Sequence, residues 1–238
     1  MRALTVLLPL LCWLAAPAQG GPWAREPGDV FLSYTLSSTT SRGVLSQTGM
    51  IEPDTTHSFY GEVGLGYRLT LGADVTLSDD SGFRTAFVRY TLTAPERVWQ
   101  ASVNLGGAEQ QQDDADDRQL LRFGAAVGRG FGPSGDAWPL PIWHGGGWAV
   151  LKTTGFYDPG DSHVIWQVET TLGLSVTERW RGMLSVLAED WEGGDLIVTA
   201  RPSALYALTD RTTVRFGAHA ALSGDDDVGV VLGLWQEF

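Results

Sequence analysis

Apolar and polar residues alternate with a period of two along most of the chain. The alternation is clearest in 59–66, 99–105, 166–174 and 214–220, where one parity is apolar and the other is polar or glycine. A period of two is typical of β-strands with one face in an apolar environment, and no convincing helical period follows residue 18. Segments of about 9–12 such residues match tilted strands that cross a bilayer.

Two kinds of connection separate these segments. Tight turns such as 177–179 and 209–211 lead straight into a new strand, whereas acidic stretches such as 109–117 and 223–227 join the others. This asymmetry is typical of outer-membrane barrels, with short periplasmic turns and polar extracellular loops. Residues 129–145 are predicted to be a long periplasmic connection, with a lumen plug or a hidden strand as alternatives. The even number of predicted strands places both termini on the periplasmic side. The twelve predicted strands are 29–39, 57–66, 69–78, 83–92, 98–107, 118–128, 146–156, 163–175, 180–190, 195–207, 212–222 and 228–238.

The two faces of these strands differ in polarity. One parity is apolar and is predicted to meet lipid: Val63, Leu65, Leu69, Leu71, Val75, Val88, Tyr90, Val103, Leu105, Leu172, Leu174, Leu184, Val186, Phe216, Leu232 and Leu234. The other parity is polar or small and is predicted to line the lumen. Its charged or titratable members are Glu62, Asp74, Arg89, Arg122, Lys152, Glu169, Arg181, Arg201, Arg215, His219 and Glu237.

These faces predict an all-β fold, a transmembrane antiparallel up-and-down β-barrel of about 12 strands. An Arg or Lys facing lipid near the midplane costs roughly 2–4 kcal/mol, so charges are expected to share the inward parity. Lipid offers no hydrogen-bond partner, so every strand edge must be paired, and only closure removes all edges. Trp99, Trp180, Tyr90 and Tyr206 lie at strand ends, where an interfacial aromatic girdle belongs. A soluble β-sandwich is the alternative reading of these aromatic residues.

The first residues have the features of a secretory signal peptide. Arg2 precedes an apolar stretch over 4–16, and Ala16, Pro17 and Ala18 form a cleavage signal. The predicted organisation is therefore a cleaved signal peptide, 1–18, and an outer-membrane barrel domain, 19–238. The single cysteine, Cys12, lies inside the signal peptide, so the mature chain is expected to contain no thiol.

Composition restricts the partners. Asp and Glu number 28 against 16 Lys and Arg, and the pI is near 4.6, which argues against a nucleic-acid surface. Only 18% of residues are charged, below the usual share of soluble domains. A terminal Phe238 after an alternating strand resembles the assembly signal of Gram-negative outer-membrane barrels. The expected partners are outer-membrane lipid and lipopolysaccharide, the barrel-assembly machinery and a small-molecule solute.

Candidate chemistry is sparse. His219 and Ser223 share a parity, with Asp225 nearby, but four extended residues separate them by about 13 Å, too far for a nucleophile–base hydrogen bond. The acidic stretches 113–117 and 225–227 are candidates for hard cations, yet neither has the spacing of an ion-binding loop. The sequence therefore predicts no enzyme, no metal site and no cofactor.

Short motifs resemble outer-membrane transporters of the phenol meta-pathway type. They are the turn and re-entry at 208–211 and 176–180, and the segment 62–65 that leads into 68–72. The resemblance implies a barrel of this size and passage of small, aromatic solutes, and it assigns no catalytic residue.

Three functions remain open on these grounds. The first is a passive channel or uptake porin for small, anionic or aromatic solutes, because six basic and four acidic inward residues favour anions. Arg89, Arg122, Arg181, Arg201 and Arg215 are the residues expected to carry this preference. The second is a non-conducting structural or surface-interaction barrel with acidic extracellular loops, and the third is a lipid-modifying barrel enzyme.

Overall fold

The computed structural model describes residues 21–48, 53–112, 115–132, 145–190 and 196–238. The strands in chain order are β1 (Val30–Ser41), β2 (Asp54–Gly66), β3 (Leu69–Leu77), β4 (Ser81–Thr91), β5 (Trp99–Gln112), β6 (Ala115–Phe131), β7 (Gly147–Asp158), β8 (His163–Ser175), β9 (Trp180–Asp190), β10 (Ile197–Ala207), β11 (Thr212–Ser223) and β12 (Asp227–Glu237). One short helix, α1 (Arg42–Thr48), follows β1. Within the described residues, no helix reaches the length and apolar content that crossing a membrane requires.

The twelve strands form a closed antiparallel barrel in which each strand pairs with its sequence neighbours. Closure occurs between β1 and β12, with pairs that run from Phe31 and Glu237 to Ser41 and Asp227. The predicted fold class and strand number are thereby confirmed. Both termini lie at one end of the barrel, which we call the terminal end, and the other is the opposite end.

The tight turns at the terminal end have local causes. Tyr67 and Arg68 both have positive φ, the conformation of a two-residue hairpin turn between β2 and β3. The Thr177 hydroxyl accepts hydrogen bonds from the amides of Arg179 and Trp180, at 3.3 and 2.9 Å. Thr209 repeats this arrangement before β11 with the amides of Arg211 and Thr212. The recurring threonine turns thus restart the chain as a new strand.

Two predicted connections differ from the structure. The acidic stretch 109–117 was expected to be a loop, but β5 extends to Gln112 and β6 begins at Ala115, because their ladder continues beyond the apolar belt. The expected connection 129–145 begins later than predicted, since β6 continues to Phe131. Most of that stretch, 133–144, lies outside the described residues, as does the predicted signal peptide.

The outer surface carries the apolar belt that the alternation predicted. Leu71, Leu105, Phe216 and Leu232 are exposed on it, and others of their parity are partly exposed, namely Val63, Leu69, Val75, Leu172, Leu174 and Val186. Trp99, Trp180 and Tyr90 are exposed near the terminal end, where Trp180 also packs on Tyr206 with ring centroids 4.7 Å apart. Closed pairing and an apolar exterior define a transmembrane β-barrel.

The interior differs from the expectation of a polar or small lining. Many inward side chains are large, apolar and buried: Phe31, Phe87, Trp148, Val150, Phe156, Ile165, Met183, Leu187, Leu205, Val231 and Trp235. Eight of these eleven residues belong to two clusters, one at each end. A barrel of this strand number is narrow enough for side chains to fill part of its interior.

Candidate functional site

A cavity of about 690 Å³ occupies the middle of the lumen and its opposite half. Gly21 and Tyr60 lie at its terminal side, and Ser81, Gly82 and Asp225 lie near the opposite end. The cavity is therefore bounded by the inward faces of the strands rather than by one loop. It is the natural candidate site for a small solute in this fold.

Charged side chains form a ring around this cavity, which we call the charged belt. Its members come from seven strands and are Asp74, Arg122, Lys152, Glu169, Glu189, Arg201, Arg215 and His219. Lys152 Nζ lies 3.1 Å from Glu169 Oε2, across the β7–β8 pairing. The two side chains are 35% and 26% exposed, so this part of the belt is accessible to water and to a solute.

The other members of the charged belt bind mainly polar neighbours. Gln167 donates to Glu189 at 2.8 Å, and Arg215 donates to Ser203 Oγ at 3.0 Å. His219 Nε2 lies 3.1 Å from Thr39 Oγ1. Over the described part of the chain, Arg122, Arg201 and Arg215 make no ion pair within 4.0 Å.

The balance of charge is closer to neutral than the sequence indicated. The basic residues around the cavity are Arg89, Arg122, Lys152, Arg201 and Arg215, and the acidic ones are Asp74, Glu169, Glu189, Asp225 and Asp227. Glu189 was missed, although it shares the inward parity of Met183, Ser185 and Leu187 in β9. Glu189 lies within the predicted strand 180–190, so parity alone could have found it.

Three of the predicted lumen residues, Glu62, Arg181 and Glu237, do not line the cavity. Arg181 occupies an inward register position of β9, paired with Leu205, toward the terminal end. Glu62 is fully buried and binds both Nη atoms of Arg89, one of them at 3.0 Å from Oε2. Arg25 Nε lies 2.7 Å from the same Oε2 atom, and Tyr60 donates to Oε1. We call Arg25, Glu62 and Arg89 the buried ion cluster.

The chain ahead of β1 enters the lumen at the terminal end. Residues 21–28, which we call the N-terminal segment, include the fully buried Pro22. The Pro22 carbonyl oxygen accepts a hydrogen bond from Thr91 Oγ1 at 2.9 Å, and that of Trp23 accepts one from Arg89 at 3.3 Å. The sequence carried no periodic signal for this placement, because the segment is neither strand nor helix.

Beside the N-terminal segment lies the terminal apolar cluster, which consists of Phe31, Trp148, Val150, Met183, Leu205 and Trp235. Trp23 and Tyr60 pack against it. The Trp148 ring lies over Gly173, where any Cβ atom would collide with it. Segment and cluster together fill the terminal half of the lumen, whereas the opposite half keeps the cavity.

One wall of the cavity is aromatic. The Arg122 guanidinium lies 3.7 Å from the centroid of the Phe87 ring, close enough for a cation–π contact. Phe83 and Phe156 meet edge to face, with centroids 5.1 Å apart. Phe83, Phe87 and Phe156 all line the cavity, so a solute there meets aromatic rings on one side and the charged belt around it.

Among the candidate catalytic and cation-binding groups, His219 and Asp226 have hydrogen-bond partners elsewhere in the structure. His219 binds Thr39, while Ser223 is exposed at the end of β11. Asp225, Asp226 and Asp227 hold carboxylate oxygens within 4.8 Å of one another. Asp226 Oδ2, however, accepts hydrogen bonds from Ser41 and the Gly43 amide, which joins the β11–β12 connection to the start of α1. The Ser41 hydrogen bond is the main cause of a lowered pKa for Asp226.

No family model and no curated protein matches the sequence. The fold is similar to that of the KdgM porin, with a TM-score of 0.58 and 8% identity over 87% of this chain and 99% of that one. The KdgM porin in complex with disordered oligogalacturonate gives 0.60 and 7% over the same shares. Omp33 of Acinetobacter baumannii gives a TM-score of 0.48 and 10% identity over 89% of this chain and 98% of that one. The chain therefore shares the closed antiparallel β-barrel fold of the KdgM porin.

Proposed function

We propose that the protein is a passive outer-membrane channel for small solutes, with a weak preference for anions. The cavity within the charged belt carries this proposal. Arg122, Arg201 and Arg215 face it without ion pairs among the described residues, so they are available to a passing anion. Asp74 and Glu189 oppose them, which is why the preference is weak.

The aromatic wall refines the class of solute. A ring packed near Phe87 and Phe156 places a carboxylate within reach of the guanidinium groups, so small aromatic acids fit both features. This agrees with the aromatic solutes implied by the phenol meta-pathway resemblance. The KdgM porin is known in complex with an oligogalacturonate, so acidic sugars are the solutes to compare with aromatic acids.

Single-channel conductance in a planar bilayer tests this function. The refolded chain, starting at Gln19, is measured in a salt gradient. It is compared with a double variant that carries both Arg201→Ala and Arg215→Ala. We expect anion preference that decreases in the double variant, because two basic charges that line the cavity are lost. The matched control is Arg84→Ala, an outward residue that pairs with Glu109 at 3.5 Å. Unchanged selectivity in the double variant would contradict the proposal.

A second function, the non-conducting barrel with binding loops, is favoured by one observation. The terminal half of the lumen is filled by the N-terminal segment and the terminal apolar cluster. A folded, heat-modifiable barrel that never conducts would support this alternative. The lipopolysaccharide contacts of the acidic opposite end would then be the surface to investigate.

Assembly in the outer membrane is part of the same proposal. Phe238 is exposed, and its amide donates to the Val30 carbonyl at 2.9 Å, so the last residue stands on the outer face where β1 and β12 close. This position suits recognition by the barrel-assembly machinery. Loss of outer-membrane insertion in Phe238→Ala, with in vitro refolding retained, would support that role.

A further inference from the structure

We propose that the N-terminal segment is a removable plug that closes the terminal end of the lumen, and that its departure opens the channel. The opening of the channel rests on the proposed channel function. The reversible covering of the terminal end does not rest on it, because it concerns only the structure of the lumen, and it is tested separately.

The segment is held by the wall at several points on different strands. Thr91 and Arg89 of β4 donate to the carbonyl oxygens of Pro22 and Trp23. Arg25 binds Glu62 of β2 and also lies 4.7 Å from the centroid of the Phe31 ring on β1. Because Gly21 lines the cavity, the segment forms its terminal boundary.

The barrel wall is shaped to receive the segment. Gly64 faces Glu26 so closely that any Cβ atom would collide with the Glu26 carbonyl group. A Cβ atom on Gly128 would lie 2.9 Å from both Pro22 and Trp23, tighter than ordinary contacts. These two glycines lie on β2 and β6, so the N-terminal segment passes close to the barrel wall at two separate strands.

The contacts also allow the segment to leave. Residues 22–26 belong to no strand, and the contacts that anchor 22–25 come from side chains rather than from a ladder. If the segment departs, Arg89 keeps its two bonds to Glu62, so the wall retains no unpaired buried charge. Arg25 would pass to water, where its charge is solvated. The Glu62–Arg89 ion pair of the wall therefore persists with the plug in place and without it.

Thiol labelling tests the cover independently of conduction. The mature chain is expected to lack cysteine, so Thr91→Cys introduces a unique thiol beneath Pro22. We expect slow alkylation in the chain starting at Gln19, and alkylation faster by at least about tenfold when residues 19–26 are deleted. Equal rates in the two chains would overturn the plug.

Bilayer conductance then tests the gating role. We expect the deletion to raise the open probability or the conductance. If the deleted chain fails to refold, the full chain with both Trp23→Ala and Arg25→Ala is measured instead, and we expect the same increase. Arg97→Ala, an exposed arginine at the same end, is the matched control and should leave conductance unchanged. Equal conductance with and without the segment would overturn the gate and leave the channel function standing. Fast labelling without any conductance in the deleted chain would instead overturn the channel function, with the cover supported.

Discussion

The terminal and opposite halves of the lumen both contain ion pairs, but in different surroundings. Glu62 and Arg89 are almost completely buried beneath the N-terminal segment, whereas Lys152 and Glu169 line a cavity and stay partly exposed. Charges removed from water need complete partners, while charges in a wet lumen exchange partners at little cost. The first half is thus packed like a protein core, whereas the second half keeps an open cavity lined by charged groups.

Hydrophobic packing follows the same division. The terminal apolar cluster brings Trp148, Leu205 and Trp235 together around the axis of the barrel. At the opposite end, Ala108, Leu120, Phe156 and Ile165 pack on the β5–β8 side and leave the cavity beside them. A narrow barrel can therefore be closed at one end and hollow at the other without a change in strand number.

The largest expected effect comes from breaking the buried ion cluster. Glu62→Gln leaves Arg89 and Arg25 without a negative partner in a buried site, and we expect a loss of about 3–5 kcal/mol in the free energy of unfolding. Urea unfolding in detergent micelles measures it. The matched control is Glu169→Gln in the wet half, for which we expect about 1 kcal/mol or less. Equal losses in the two variants would remove the distinction between the halves.

Truncation in the terminal apolar cluster should be nearly as costly. Leu205 is 1% exposed and packs inside the barrel, so Leu205→Ala is expected to destabilise by about 2–5 kcal/mol through lost burial and a cavity. Leu232→Ala, on the lipid face, is the control for loss of the same side chain. A smaller effect for Leu205 than for Leu232 would show that the terminal half is not packed as a core.

Neutralising an acid of the charged belt should alter selectivity rather than stability. Glu189→Gln removes one negative charge beside the cavity, so anion preference is expected to rise. A charge in water contributes about 1 kcal/mol at close range, so the change in permeability ratio should be about fivefold or less. Reversal potentials in a salt gradient measure it, with Glu178→Gln in an exposed turn as the control. A shift toward cations would contradict the assignment of the belt.

The smallest effect concerns the opposite end at acid pH. The hydrogen bond from Ser41 lowers the pKa of Asp226, so this contact stabilises the connection above the unfolded pKa and is lost as pH falls through the folded pKa. We expect faster hydrogen exchange at the Gly43 amide as pH falls below about 4, after correction for the intrinsic rate. In Ser41→Ala the loss should begin at higher pH. An unchanged profile would show that Asp226 does not hold the start of α1.

The sequence predicted the outward face better than the interior. A residue such as Leu232 or Phe216 can be assigned by parity, because lipid tolerates few charges and the alternation leaves one consistent side. Trp148 and Leu205 have the inward parity and are apolar, so alternation alone cannot tell a filled lumen from an open one. Glu62 and Arg89 were placed on the inward face, but their pairing required the register of β2, β3 and β4.

The sequence by itself determined the alternating faces, the turns and hence a closed barrel of twelve strands, because these depend on local periodicity and on the need to pair every strand edge. Only the tertiary structure decided how the lumen is filled. Gly64 and Gly128 are far apart in the chain, and they meet the N-terminal segment only after closure brings β2 and β6 around it. Contacts between such distant positions depend on register and tilt, which no local pattern records.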